Sequence, residues 1–139
     1  MTLVHAALIA TALLLGAMLF FSFAVAPMVF RALERPQAAK LMQALFPLYY
    51  LVILGLGAVA ALTLGIAGDP LHGGVMAFVA AAAALLRQGL LPRLDVLRPL
   101  KEAGDADAQA SFARLHRASM IVNLVQIVAV AAVLVRLLP

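Results

Sequence analysis

Four long runs of apolar residues, separated by shorter polar segments, organise the whole chain. The runs lie at about residues 3–30, 45–67, 74–98 and 111–138. Each is long enough to cross a hydrocarbon core of ~30 Å as an α-helix, which takes about 20 residues. Long continuous apolar runs favour helices over strands. The pattern therefore predicts an all-α fold, an integral membrane four-helix transmembrane bundle forming a single domain over residues 1–139.

Prolines mark the expected ends and bends of these helices. Pro27 is expected to kink or end the first helix near the membrane surface. Pro36 fits the first position of a short helix lying along that surface. Ala24-Val25-Ala26 resembles a signal-peptidase site, but the chain has no basic segment before its first apolar run. Because Pro27 after the cut would also block cleavage, we expect the first helix to be retained.

The fourth run carries the polar residues that lie deepest in any apolar run. At helical spacing they fall on one stripe, which consists of His116, Ser119, Asn123 and Gln126. A hydrogen-bonding stripe on a lipid-soluble helix is expected to face something other than lipid. In the third run, the apolar stretch before Arg87 is too short to span a bilayer. Arg87 is therefore expected inside the helix, where it snorkels or faces inward.

Small residues recur at every fourth position of the second run, at Gly57, Ala61 and Gly65. Such a ridge lets a neighbouring helix approach closely. It indicates tight helix packing, and it is also one possible contact surface for a homo-oligomer.

The composition agrees with the hydrophobic pattern. Hydrophobic residues make up 66% of the chain and charged residues 12%, and the mean hydropathy is +1.12. Soluble domains are about half apolar and a quarter charged, so no separate soluble domain is expected. The chain contains no cysteine, which excludes disulfides, thiolate zinc sites and a thiol nucleophile.

The positions of the basic residues predict the orientation of the bundle. Of the 10 Lys and Arg residues, all but Arg136 lie in or beside the first and third connections. By the positive-inside rule, the loops near 31–44 and 92–111 are cytoplasmic, and both termini are extracytoplasmic, in a plasma (inner) membrane. The net charge of +4 is confined to these segments, so the expected partner is the lipid bilayer and not nucleic acid.

Three histidines raise the alternative of a haem or copper protein. His5 and His72 fall near the outer face and His116 near the inner face, so His116 cannot share a metal with the others across ~30 Å. Two interfacial imidazoles alone make a weak metal site, and the methionines show no repeated pattern. No metal or cofactor is therefore predicted. A haem- or metal-handling redox protein that uses His5, His72 or His116 remains the alternative.

A basic and polar cluster at the inner face is the stronger candidate site. It would suit an anionic group, such as a phospholipid headgroup or an organic anion. The alternative is ordinary topology-setting charge combined with hydrogen bonds between helices. The candidate ligand-binding residues are Arg31, Tyr49, Tyr50, Arg87, Gln88, Arg114, His116, Arg117, Ser119, Asn123 and Gln126.

No catalytic constellation is recognisable in the sequence. The helices carry no acid within their apolar runs, and the chain has no Gly-rich phosphate loop. No catalytic residue is predicted, and an enzyme is not favoured.

Several segments together resemble the transmembrane-protein-205-like family, a membrane domain family of unknown function. They are residues 20–31 (FFSFAVAPMVFR), residues 45–50 (LFPLYY), Leu90-Leu91-Pro92 and the pattern Phe112…Leu115-His116…Ser119…Asn123…Gln126. The resemblance implies a compact four-helix membrane protein with a polar fourth helix, and it implies no reaction. Membrane protoporphyrinogen oxidases and copper-resistance membrane proteins are also small four-helix proteins. Both depend on histidines within the membrane, of which this sequence lacks a convincing set.

The sequence leaves three functions open. The first is a binding or transport module for an anionic or amphipathic small molecule or lipid. The second is the haem- or metal-handling redox protein, and the third is a structural or assembly partner without a ligand. Because a four-helix monomer has little room for a conduit, transport would require a homo-oligomer.

Overall fold

The computed structural model describes residues 2–139, which form four long helices. These are α1 (Leu3–Ala32), α2 (Arg35–Ile66), α3 (Pro70–Glu102) and α4 (Ala106–Leu137). Each is long and apolar enough to cross a membrane, and the described part of the chain contains no strand. The predicted all-α, four-helix membrane bundle is confirmed.

The four helices form two antiparallel hairpins, α1–α2 and α3–α4. Turns of two or three residues join consecutive helices, so each helix packs beside the next in sequence. The contact between α4 and α1 closes the ring. The two hairpins therefore meet along two seams, and we call the α2–α3 contact the close seam and the α1–α4 contact the open seam.

The close seam is the most extensive helix–helix contact, and small residues allow it. A Cβ atom added at Gly57 would lie 3.2 Å from the Cβ atom of Ala80, and one added at Gly73 would lie 3.1 Å from the carbonyl oxygen of Ala61. The same added atom at Gly73 would lie 3.2 Å from the amide nitrogen of Gly65. The small-residue ridge of α2 therefore packs against α3 of its own chain.

Apolar side chains fill the centre of the bundle and also cover its outside. Leu14, Ile53 and Val130 are fully buried between the helices. By contrast, Leu85 is 74% exposed and Ile66 is 72% exposed on the outer surface. A continuous apolar exterior suits lipid and not water, so the protein is a membrane protein.

The second helix begins about ten residues earlier than the sequence predicts. It starts at Arg35 instead of about residue 45, and only Leu33 and Glu34 separate it from α1. Pro36 lies in its first turn, where a missing N–H costs nothing, so there is no separate surface helix. Polar residues beyond the hydrocarbon core remain hydrated, and the helix can therefore continue through them.

The third helix extends beyond both ends of its predicted range of 74–98, and the fourth begins earlier than its predicted range of 111–138 but ends at Leu137. Asp69 accepts from the amide of His72 at 3.2 Å and caps α3 at Pro70. Asp105 accepts from the amide of Ala108 at 3.0 Å and caps α4 at Ala106. These side chains satisfy amide groups that the first helical turn leaves free. The predicted loops near 31–44 and 92–111 are therefore mostly helical.

A π-helical turn at Phe21–Val25 interrupts α1 just before Pro27. The amide of Ala26 donates to the carbonyl of Phe21, five residues earlier. Proline has no N–H, and its ring crowds the carbonyl four residues back, so the wider turn relieves the clash. The helix was predicted to kink or end at Pro27, and it continues to Ala32.

The third helix also contains a π turn just before a proline. Its π turn at Leu86–Leu90 ends where the amide of Leu91 donates to the carbonyl of Leu86, and Pro92 follows. Both π turns lie towards the same end of the bundle, because α1 and α3 run in the same direction.

Candidate functional site

A cavity of about 630 Å³ lies in the open seam, beside the π turn of α1. Such a volume is typical of small-molecule sites. Its wall from α1 consists of Phe21, Ser22, Phe23, Ala26, Pro27 and Phe30. The wall from α2 consists of Met42, Phe46, Tyr49 and Tyr50. The wall from α4 consists of His116, Arg117, Ser119, Met120, Ile121, Asn123, Leu124 and Ile127.

The cavity opens sideways, on the lipid-facing surface of the bundle. Phe23 and Phe30 of α1 line it and are 69% and 56% exposed. Met120 and Leu124 of α4 line it from the other side and are 59% and 57% exposed. The opening of the cavity is therefore lined by apolar side chains on the outer surface of the bundle.

Stacked aromatic rings form the back of the cavity. Phe21 stacks on Tyr49 with ring centroids 4.1 Å apart and planes 14° from parallel. Phe46 meets Phe21 edge-on at 5.7 Å and stacks against Tyr50 at 6.2 Å. These are favoured arrangements of aromatic pairs, and they give the cavity a firm apolar wall.

A short hydrogen-bond chain crosses the same wall and ties three helices together. The hydroxyl of Tyr49 donates to Oδ1 of Asn123 at 2.6 Å. Nδ2 of Asn123 donates to Oγ of Ser22 at 3.0 Å. Further along α4, Oγ of Ser119 donates to the carbonyl of His116 at 2.7 Å. Tyr49, Asn123 and Ser22 are therefore paired with one another, and Ser119 is paired with the backbone of its own helix.

The last residue of the predicted polar stripe points away from the cavity. Gln126 is 1% exposed, and its Nε2 donates to the carbonyl of Val79 in α3 at 2.9 Å. Asn123 thus joins α4 to α1 and α2, and Gln126 joins it to α3. The stripe faces other helices and not lipid, as predicted, and most of its hydrogen bonds hold the bundle together.

The basic residues gather at one end of the bundle, which we call the basic end. It carries Arg31, Arg35, Lys40, Arg93, Arg98, Lys101, Arg114 and Arg117. Arg117 is the one arginine of this set that lines the cavity. Arg31 lines only a shallow groove on the outside of α1, and Arg114 is exposed elsewhere on α4.

Arg87, in the π turn of α3, points towards α2. Nε of Arg87 donates to the carbonyl of Pro47 in α2 at 3.2 Å. Its neighbour Gln88 is exposed. Arg87 therefore strengthens the close seam, and neither of these residues contributes to the cavity.

An aromatic and cationic cluster adjoins the cavity at the basic end. The ring of Phe112 stacks with that of His116 at a centroid distance of 6.3 Å. Nζ of Lys101 lies 4.1 Å from the centre of the Phe112 ring, and Cζ of Arg98 lies 5.4 Å from it. Such cation–π contacts position two positive charges next to the cavity residue His116.

The structure brings part of the predicted site together. The predicted residues that line the cavity are Tyr49, Tyr50, His116, Arg117, Ser119 and Asn123. Those that lie elsewhere are Arg31, Arg87, Gln88, Arg114 and Gln126. The sequence prediction missed Phe21, Ser22 and Phe46, which also line the cavity. Their location within the two family-like stretches 20–31 and 45–50 is the sequence feature that could have indicated them.

The other two histidines lie at the end of the bundle opposite His116. His5 is near the start of α1 and His72 near the start of α3. Nδ1 of His72 lies 2.7 Å from Oδ2 of Asp69. The backbone amide of His72, together with its ring, holds the pKa of Asp69 below its ordinary value. Among residues 2–139, no three His, Asp or Glu side chains come together as a metal site.

Comparison with known protein families identifies a related domain. Residues 9–138 match the family described as "Domain of unknown function (DUF4149)". No curated protein and no solved structure matches the chain. The match covers the cavity and nearly all of the four helices.

Proposed function

The chain belongs to the DUF4149 family, whose domain is of unknown function, and we propose that it is a membrane-embedded binding module for an amphipathic molecule. The observation that carries the proposal is the cavity of about 630 Å³ in the open seam. The ligand enters sideways from the bilayer and lies between α1 and α4. Its apolar part contacts the aromatic wall, and its polar part lies towards the basic end.

The open seam supports a binding role over a purely structural one. A scaffold gains stability when its seams are filled, since empty space forfeits packing contacts. The close seam is filled in this way, whereas the open seam leaves a cavity beside residues such as Phe23 and Leu124 that face lipid. A space of this size next to the bilayer will hold lipid or ligand.

The polar stripe has two roles in this proposal. Asn123 and Gln126 hold the helices together, since their bonds end on other helices. His116 and Arg117 lie at the basic end of the cavity, where they are placed to contact the ligand's polar group. If the module also transports its ligand, binding in this cavity is the first step. We also propose that the chain is related to the transmembrane-protein-205-like family.

Variants at the mouth of the cavity test the proposal. Leu124→Trp narrows the opening from α4, and Val125→Trp is its matched control, since Val125 is 54% exposed but does not line the cavity. Ala26→Phe fills the cavity from α1, and Ala12→Phe is its control on the exposed face of that helix. The measurement is native mass spectrometry of protein extracted from membranes in mild detergent.

The expected result is a bound amphiphile on the wild type and on both controls, with loss of that mass in Leu124→Trp and Ala26→Phe. A wild type that carries no such mass even after incubation with lipid would contradict the proposal. Equal retention in all variants would contradict it too, because the amphiphile would then lie outside the cavity.

The proposed orientation places the basic end in the cytoplasm and both termini outside, as the charge distribution favours. The chain has no cysteine, so a single introduced cysteine is the one thiol that a maleimide can label. Ala67→Cys lies in the turn after α2 and Ala103→Cys in the turn after α3, and both positions are exposed. In intact cells, a membrane-impermeant maleimide should label the first and not the second. The reverse pattern would contradict this orientation.

A further inference from the structure

The cavity extends along the axis of the bundle, parallel to its helices. Its wall on α4 extends from His116 to Ile127, which is roughly 16 Å of helix at 1.5 Å per residue. That is about half of a ~30 Å hydrocarbon core, or the depth of one leaflet. The shape therefore suits a chain lying parallel to the helices better than a compact ring system.

The wall offers few free hydrogen-bonding groups along this length. Tyr49, Asn123 and Ser22 bond to one another, and Ser119 bonds to the carbonyl of its own helix. A sugar or peptide placed here would leave its polar groups unpaired in an apolar environment, which is unfavourable. A hydrocarbon chain has no polar groups that need hydrogen-bond partners.

The end of the cavity nearest the basic end favours a negative charge. Arg117 lines it directly, and His116 joins it to the cluster in which Lys101 and Arg98 contact Phe112. No carboxylate lines the cavity in the described part of the chain. Arg117 also lies where α4 leaves its apolar stretch, the depth at which lipid headgroups begin.

We infer that the ligand is a fatty-acyl chain with an anionic head, its chain lying along the open seam to Ile127 and its head against Arg117 and His116. This inference rests on the proposed function and names its ligand class. The chain is either that of a free fatty acid or one chain of an anionic phospholipid whose second chain stays in the bilayer. Both present the same chemistry to the cavity.

The first test is a binding titration by native mass spectrometry with three probes. These are hexadecanoate, the uncharged hexadecan-1-ol of equal chain length, and phosphatidylglycerol. Hexadecanoate should bind the wild type about tenfold more tightly than the alcohol, a preference of about 1.4 kcal/mol. Competition between hexadecanoate and phosphatidylglycerol at equal concentrations then shows whether the bound acyl chain belongs to a fatty acid or to a phospholipid, since the probe that binds more tightly displaces the other.

Two arginine variants locate the charge that recognises the head. Arg117→Gln should abolish the preference for hexadecanoate over hexadecan-1-ol, and Arg117→Lys should retain it. Arg114→Gln is the matched control, because Arg114 lies on the same helix but outside the cavity. An equal loss in Arg114→Gln and Arg117→Gln would overturn the inference, since diffuse surface charge would explain it.

A photolabel tests the direction of the bound chain without any variant. Hexadecanoate with a diazirine on its last carbon should label residues near Ile127, whereas labelling near His116 would overturn the inference. Equal binding of acid and alcohol by the wild type would also overturn it, yet the proposed function would stand if Leu124→Trp still blocked the alcohol. Failure of all three probes to bind would contradict both.

Discussion

The two seams of the bundle join helices of nearly equal length, yet they are built from different residues. In the close seam, Gly57 and Gly73 let α2 and α3 approach until added Cβ atoms would lie 3.2 and 3.1 Å from their neighbours. In the open seam, Phe21, Tyr49 and Asn123 hold α1 and α4 around a cavity. Side-chain size therefore decides which seam is filled.

The seams also differ in how they are held. Contact between backbones and small side chains stabilises the close seam through packing alone along most of its length. The open seam has less packing to offer, and a partly buried hydrogen-bond chain from Tyr49 through Asn123 to Ser22 fixes its helices. Hydrogen bonds between a few side chains can hold two helices together and leave space beside them. Close packing of side chains fills that space.

The largest expected effect comes from enlarging a glycine in the close seam. Gly73→Leu should destabilise the protein by about 3 kcal/mol, because backbone atoms of α2 occupy the space and cannot turn aside. Gly74→Leu is the control, since nothing lies within 4 Å of a Cβ atom there, and it should change stability by under about 0.5 kcal/mol. The free energy of unfolding in mixed micelles measures both, and similar values would contradict the packing account.

Removing the central polar residue of the open seam should have a smaller effect. Asn123→Leu loses its bonds with Tyr49 and Ser22, and at ~0.6 kcal/mol per interhelical bond the cost is about 1 kcal/mol. Tyr49→Phe loses one of these bonds and should cost about half as much. The same unfolding measurement applies. No loss in Asn123→Leu would show that the seam is held by packing after all.

A single bond from the π turn of α3 supports the close seam. Arg87→Leu removes the bond from Nε to the carbonyl of Pro47 and should cost about 0.6 kcal/mol. Gln88→Leu, at the exposed neighbouring position, should cost nothing measurable. If the two variants behaved alike, the inward position of Arg87 would contribute nothing to the seam.

The smallest expected effect concerns pH, at the end of the bundle far from the cavity. The amide and ring of His72 hold the pKa of Asp69 below its ordinary value of 3.8. Its carboxylate therefore contributes stability above pH 3.8, and that contribution is lost as pH falls through the lower folded-state pKa. Asp69→Asn keeps a helix cap but not the charge. The difference in melting temperature between wild type and variant should shrink below about pH 4, and a constant difference would contradict this assignment.

The hydrophobic pattern was sufficient to predict the bundle, the basic end and the small-residue ridge. Helix starts are harder to predict, because the mixed polar and apolar residues from Arg35 to Ala44 suggest a loop with a short surface helix, whereas they form the first turns of the continuous helix α2. The two π turns each precede a proline, Pro27 or Pro92, whose ring crowds a carbonyl of the preceding turn. Pro47 lies inside α2 without a π turn. A proline alone therefore does not predict where a π turn forms.

The candidate site was predictable only in part. The helical stripe predicted that Ser119 and Asn123 share one face of α4, and both line the cavity. The pattern could not show that the bonds of Asn123 end on neighbouring helices, since that depends on which residues of α1 and α2 lie opposite. For the same reason Phe21 and Ser22, in a π turn, had no periodicity that could place them in the wall.

The most direct test of the central claim is an experimental structure of the protein in lipid nanodiscs. We expect elongated density in the open seam, lying between Phe21 and Leu124 and extending from Arg117 towards Ile127. A seam closed by its own side chains, with no space between α1 and α4 and lipid density only on the outer surface, would contradict the claim.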